Sequence, residues 1–168
     1  MSYFSTKVQR FYEDFWTLVE PYHDVVAEIA RVSKSGPLSE TLVNIVRNIG
    51  ANFEYDTNLD LYGVEDYWAS TDEIARAKVG DCDDMAMLTS SVLYNLGIVH
   101  YLVIGHLYDQ IWGLEATPEK AAGHVWVEVD DDKGITYILE PTNSSIYVLP
   151  TGNYSEVPYY PIDSIRVE

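Results

Sequence analysis

Three residues far apart in the chain have the chemistry of a nucleophilic site: Cys82, His124 and Glu140. A thiolate attacks carbonyl carbon, an imidazole moves the proton, and a carboxylate fixes which imidazole nitrogen carries it. Cys82 is the only cysteine in 168 residues, so no disulfide forms within the chain. A lone cysteine is most simply a small buried apolar residue. Its neighbours argue otherwise. Asp81 is a good N-cap, and Asp84 follows three residues later at the acidic position of a capping box. Cys82 then falls in a first helical turn, where backbone N–H groups and the helix dipole favour a thiolate. Asp81, Asp83 and Asp84 oppose that, because nearby carboxylates disfavour another negative charge.

His124 and Glu140 flank the turn Asp130-Asp131-Asp132-Lys133-Gly134. A three-residue loop at Asp131 to Lys133 sets them directly opposite, with Cβ atoms about 4.5–5.5 Å apart. A loop at Asp132 to Gly134, with glycine left-handed, makes the pair diagonal on the same face. A four-residue loop puts them on opposite faces. Two of these three registers let the carboxylate hold the imidazole. The other histidines, His23, His100 and His106, have no acid placed across a hairpin.

The elements that must hold these groups can be traced along the chain. Residues 5 to 33 have helical periodicity, which Pro21 should kink or divide. A second amphipathic helix follows through Leu38, Leu42, Ile45, Val46 and Ile49, closing near Gly50. Residues 52 to 63 form a connection with aromatic anchors. Ser70 and Glu73 have capping-box spacing, which predicts a short helix from Thr71 to Ala77. Met85, Leu88, Val92 and Leu96 continue the cysteine helix to Gly97, a good C′ residue. The period then changes. Tyr101 to Ile104 forms a strand extending through His106 and Tyr108, and Gly113 to Ala122 a loop or helical turn. Val125, Val127 and Val129 alternate with His124, Trp126 and Glu128 in the next strand. Strands at Ile135–Leu139 and Ile146–Leu149 follow, and a final one near Ile162–Val167. Helices first and antiparallel strands later predict an α+β domain.

The motifs also resemble a family. Gly80-Asp81-Cys82-Asp83-Asp84, then Gly123-His124-Val125-Trp126-Val127-Glu128-Val129, then Leu139-Glu140-Pro141-Thr142 is similar to the ordered pattern of the transglutaminase-like superfamily. Phe53-x-Tyr55-Asp56 and Trp68-x-x-Thr71-x-Glu73 match its approach to the cysteine, so the resemblance covers roughly residues 40 to 145. It implies a papain-like core, with the cysteine helix packed on an antiparallel sheet. It also implies Cys82 as nucleophile, His124 as base and Glu140 as orienter. The family usually has aspartate where this chain has Glu140, and the longer side chain asks the strand to sit slightly farther off. The Cys82 backbone N–H is one natural oxyanion donor, and Trp68 and Trp126 are candidates for lining the cleft. In the bacterial cysteine peptidase branch, some members bind calcium through acids flanking the cysteine, here Asp81 and Asp83. The simpler expectation is that Asp81 only caps and Asp83 is solvated.

Composition narrows the function. At 47% hydrophobic and 13% aromatic, the chain should fold. A formal charge of −17 argues against nucleic acid or an anionic membrane as partner and suits cations. Residues 1–168 are expected to form one domain, with a helical segment at 1–36, a core at 37–150 and a tail at 151–168. No signal peptide or membrane span is evident, which points to the cytoplasm. The expected activity is a cysteine amidase acting on polypeptide, with no cofactor required and calcium the one ion considered. Transfer to an amine instead of water would make it a transamidase. A binding or assembly module with an idle triad is the alternative from another class.

Overall fold

The computed structural model describes residues 17–56, 69–107 and 122–168. The parts of the expectations above that fall on 5–16, 57–68 and 108–121, Trp68 among them, lie outside these residues. The described architecture is α+β, with helices covering one face of an antiparallel sheet.

Pro21 divides the first helical region. Helix α1 (Asp24–Ser33) begins after it, capped by the His23 ring, whose Nδ1 accepts the Val25 N–H at 3.2 Å. Helix α2 (Leu38–Asn52) runs past Gly50 and buries Leu42, Ile45, Val46 and Ile49 at helical spacing. A short strand, β1 (Glu54–Tyr55), leads to α3 (Thr71–Ala77), whose Ser70–Glu73 capping box is formed as the spacing predicts. Then come β2 (Val79–Gly80) and α4 (Cys82–Asn95). The parallel pairing of β1 with β2 was not expected. It anchors the residues that enter α4.

Helix α4 is buried from Asp83 through Leu93, polar residues included. Met85, Leu88, Val92 and Leu93 each contribute roughly 1.5–3 kcal/mol by leaving water. Buried Thr89 and Ser91 satisfy their hydroxyls on the carbonyls one turn back. The helix ends as expected: Gly97 has φ +69°, and the Gly97 and Ile98 N–H groups bond the Tyr94 and Leu93 carbonyls.

The sheet follows: β3 (His100–Leu107), β4 (Ala122–Asp130), β5 (Ile135–Glu140), β6 (Ser145–Pro150) and β7 (Tyr159–Val167). Its order is β6-β5-β4-β3-β7, antiparallel throughout. The last strand begins at Tyr159, earlier than the expected Ile162, and brings the C-terminal segment into the sheet beside β3. One sheet face, with Leu102, Ile104, Val125, Val127, Val129 and Leu139, packs against the helices. The other carries Val103, Trp126, Ile138, Leu149 and Tyr159 with flanking tyrosines. No described helix is long and apolar enough to cross a membrane.

Candidate active site

Cys82 opens α4, and three acids build its setting. The Asp81 carboxylate accepts the Asp83 and Asp84 N–H groups through Oδ1, at 3.0 and 3.2 Å. Asp84 returns the bond, its Oδ2 accepting the Asp81 N–H at 3.1 Å, which completes the capping box. Its Oδ1 accepts the Ala69 N–H at 3.2 Å, so the same side chain ties the preceding segment to the helix start. Burial raises the Asp84 pKa to about 6, against the backbone bond from Asp81 and with the charge of Asp83. Asp83 is not solvated, as the simpler expectation had it. It is fully buried, and its Oδ1 accepts the Cys82 Sγ–H at 3.4 Å. Cys82 itself is half-buried.

The turn between β4 and β5 decides whether histidine meets acid. Asp131 Oδ1 accepts the Lys133 and Ile135 N–H groups at 2.8 and 2.9 Å, and Gly134 takes φ +82°. Glycine adopts that conformation without the Cβ penalty other residues meet. The loop is therefore Asp132 to Gly134, with Val127 opposite Leu139 and Asp130 opposite Thr136. His124 and Glu140 are diagonal on one face, the second of the three registers. His124 Nε2 and Glu140 Oε2 lie 2.6 Å apart, with the residues 8% and 3% exposed.

Two further hydroxyls bind the same carboxylate. Tyr159 donates to Oε2 and Thr142 to Oε1, each at 2.7 Å. Burial alone would raise the Glu140 pKa. The His124 hydrogen bond and charge, with the two hydroxyls, outweigh it and hold the carboxyl below its usual range. With Nε2 engaged, Nδ1 is the ring nitrogen available for exchanging a proton with a thiol.

Trp126, expected at the cleft, is fully buried instead. Its indole stacks near the His124 ring, with centroids 5.9 Å apart, and meets Tyr159 edge-on at 5.0 Å. Glu128 holds it there, accepting the Trp126 Nε1–H at 2.8 Å and the Tyr154 hydroxyl at 2.7 Å. Gly105, opposite His124 on β3, leaves room for the indole. A Cβ there would lie 2.5 Å from Trp126 Cη2 and 2.1 Å from the Tyr160 carbonyl.

The structure thus brings His124 and Glu140 together, and gathers Asp81, Cys82 and Asp83 at the start of α4. Helix α4, which carries the thiol, packs on β4, which carries the imidazole. Two competing histidines have structural work. His23 caps α1 and bonds Asp72 at 3.1 Å, while buried His100 bonds Ser90 and the Ile98 carbonyl. Burial pushes the His100 pKa down to about 4. Nothing in the sequence by itself assigns a role to Thr142, Tyr159 or the Asp84 tether. Thr142 lay within a motif already singled out, and Tyr159 lay in a tyrosine-rich tail with nothing local to link it to Glu140.

A thiol at the start of a buried helix, over a sheet bearing a histidine–carboxylate pair, defines a class of papain-like architecture. A profile described as "Transglutaminase-like domain" matches residues 24–155, and this chain belongs to that family. Solved structures share the fold. LapG from Legionella pneumophila is 18% identical with a TM-score of 0.61, aligned over 93% of this chain and 84% of its own. Calcium-bound LapG from the same organism is 19% identical with a TM-score of 0.59, over 91% and 82%. A structure titled as a TGase is 16% identical with a TM-score of 0.53, over 86% of this chain and 34% of that one. No characterised protein sequence gave a significant match.

Proposed function

We propose that this protein is a cysteine-dependent amide hydrolase acting on polypeptide. The observation that carries the reading is the buried 2.6 Å contact between His124 Nε2 and Glu140, on the strand against which the Cys82 helix packs. Cys82 passes its proton to His124 Nδ1, and the thiolate attacks the amide carbonyl carbon. The C–N bond breaks as the imidazolium protonates the departing amine, leaving a thioester on Cys82. His124 then takes a proton from water, which attacks the thioester and releases the carboxylate and the thiol. Glu140 orients the ring and stabilises its charged form. The Asp81 cap uses the Asp83 and Asp84 N–H groups, and the Cys82 N–H serves as an oxyanion donor.

Calcium belongs to this proposal as a structural ion. The ligand atoms of Asp81, Cys82 and Asp83 lie within 4.8 Å of one another. The carboxylates of Asp81 and Asp83 suit a hard cation, whereas the thiol does not. An ion there would offset negative charge beside Cys82 and stiffen the entry to α4. Calcium takes six to eight oxygens, so these two would be only part of its shell.

One observation favours a second reading, a binding module on the same fold. The Cys82 thiol donates to Asp83, a carboxylate that opposes its ionisation. Acyl transfer separates the two. 4-Nitrophenyl acetate needs little recognition, and it should acylate Cys82 and turn over, with the adduct found on Cys82 by mass spectrometry. Cys82→Ala and His124→Ala should abolish turnover, and added amines would show whether transfer competes with hydrolysis. No adduct and no release of nitrophenol in the wild type would leave the binding module standing.

A further inference from the structure

We propose that Tyr159 is a positioning residue for the His124–Glu140 pair, its hydroxyl holding the Glu140 carboxylate in the orientation the imidazole requires. The inference rests on reading Cys82, His124 and Glu140 as a nucleophilic site. Tyr159 opens β7, and the sheet order sets β4 and β3 between that strand and β5, which ends at Glu140. Its hydroxyl nevertheless reaches Glu140 Oε2 at 2.7 Å, the oxygen that meets His124 Nε2. The ring that delivers it is fixed. Tyr159 is 3% exposed and packs edge-on against Trp126 at 5.0 Å and Tyr147 at 5.3 Å. Burial first, then the charge of Glu140, push the phenol pKa far up, so it stays a donor.

The chemistry gives that donor a purpose. A glutamate has one more rotatable bond than an aspartate, so its carboxylate sweeps a wider arc when held at one oxygen. Thr142 fixes Oε1 from the adjoining turn, and Tyr159 fixes Oε2 from the edge strand β7. A carboxylate fixed at both oxygens holds the ring in one plane, with Nδ1 in one direction. Docking of β7 thereby becomes part of the site.

Tyr159→Phe keeps the ring and its edge contacts and removes only the donor. Two measurements read it: the rate of Cys82 alkylation by iodoacetamide at neutral pH, and the proton resonance of His124 Nε2–H. The alkylation rate should fall roughly fivefold, about the worth of one hydrogen bond, and the resonance should shift and broaden as the ring rocks. An unchanged rate with an unmoved resonance overturns the proposal, whatever the melting midpoint does, because packing alone would then explain Tyr159. His124→Ala run in parallel separates the two levels. If it slows alkylation and Tyr159→Phe does not, only the role of Tyr159 falls. If His124→Ala also changes nothing, the nucleophilic reading falls and this inference with it. Should Tyr159→Phe fail to fold, 3-fluorotyrosine at position 159 keeps the shape and makes the hydroxyl a stronger donor. The resonance should then shift from its wild-type position, and no movement overturns the proposal.

Discussion

Two buried glutamates share one face of the sheet and differ in their partners. Glu140 and Glu128 are 3% and 6% exposed, and each accepts a tyrosine hydroxyl at 2.7 Å. Glu140 also meets an imidazole, which can carry positive charge. Glu128 meets an indole N–H, which cannot. Burial raises both carboxyls, but His124 brings Glu140 below the usual range. Glu128 stays above it, because two neutral donors do not offset burial and the charge of Asp130. Similar burial therefore yields a carboxylate held below its usual range by a histidine at one end and, at the other, a clamp on the tryptophan stacked near that histidine. The partner, not the depth, sets the role.

Exchanging the two acids should expose that difference. His124→Ala should slow any Cys82-dependent reaction by roughly 10²–10⁴, the usual worth of a positioned acid–base group. Glu140→Gln keeps an acceptor oxygen and should cost clearly less. Glu128→Gln should leave the rate nearly untouched, since an amide can accept from Trp126 and donate to Tyr154. Steady-state acyl transfer of the three variants checks the order. A Glu128→Gln loss larger than that of Glu140→Gln would mean the orienter has been misassigned.

The next effect falls on both ends together. Gly105→Ala would press a Cβ onto the Trp126 indole and the β7 backbone, which cannot rotate away. A cost of about 1–3 kcal/mol is expected from such overpacking, read by denaturant unfolding. Gly50→Ala should cost less, because its nearest obstacle is the Ser144 hydroxyl, a side chain able to turn.

The pH dependence separates the acids again. The Glu140 pKa is lowered, so its contribution to stability is present above the ordinary carboxylate range and lost as pH falls through the lowered value. Glu128 has the opposite sign. Its contribution is present at low pH and lost as pH rises through the raised value, and Asp84 follows it with loss up to about pH 6. In thermal melts, Glu128→Gln should therefore gain on the wild type as pH rises, and Glu140→Gln should lose. The smallest expected effect is that of calcium. A chelator should lower the midpoint slightly, and Asp83→Asn should abolish that response.

Much of this was legible in the sequence where signals were local. The caps at Ser70 and Asp81, the Schellman end at Gly97 and the alternation of β4 each lie within a few residues. The hairpin turn narrowed the His124–Glu140 pairing to a choice of registers, and Gly134 in the left-handed region selects the diagonal one. What escaped depends on distant segments. The β1–β2 pair joins residues that are separated by a helix, and Tyr159 meets Glu140 only after β7 docks beside β3. Nor can alternation tell a cleft from an interior: Trp126 shares its face with His124, and that face is covered by Tyr147, Tyr154 and Tyr159.

The central claim is that Cys82 is a nucleophile served by His124, and the pH profile of its alkylation tests this most directly. The single cysteine makes the reaction unambiguous. The account predicts that Cys82 in the wild type reacts faster at about pH 6 than a free thiol does, and that His124→Ala removes the advantage. A wild-type profile that rises only with a midpoint near about 8.5, identical in His124→Ala, would contradict it and leave Cys82 an ordinary structural thiol.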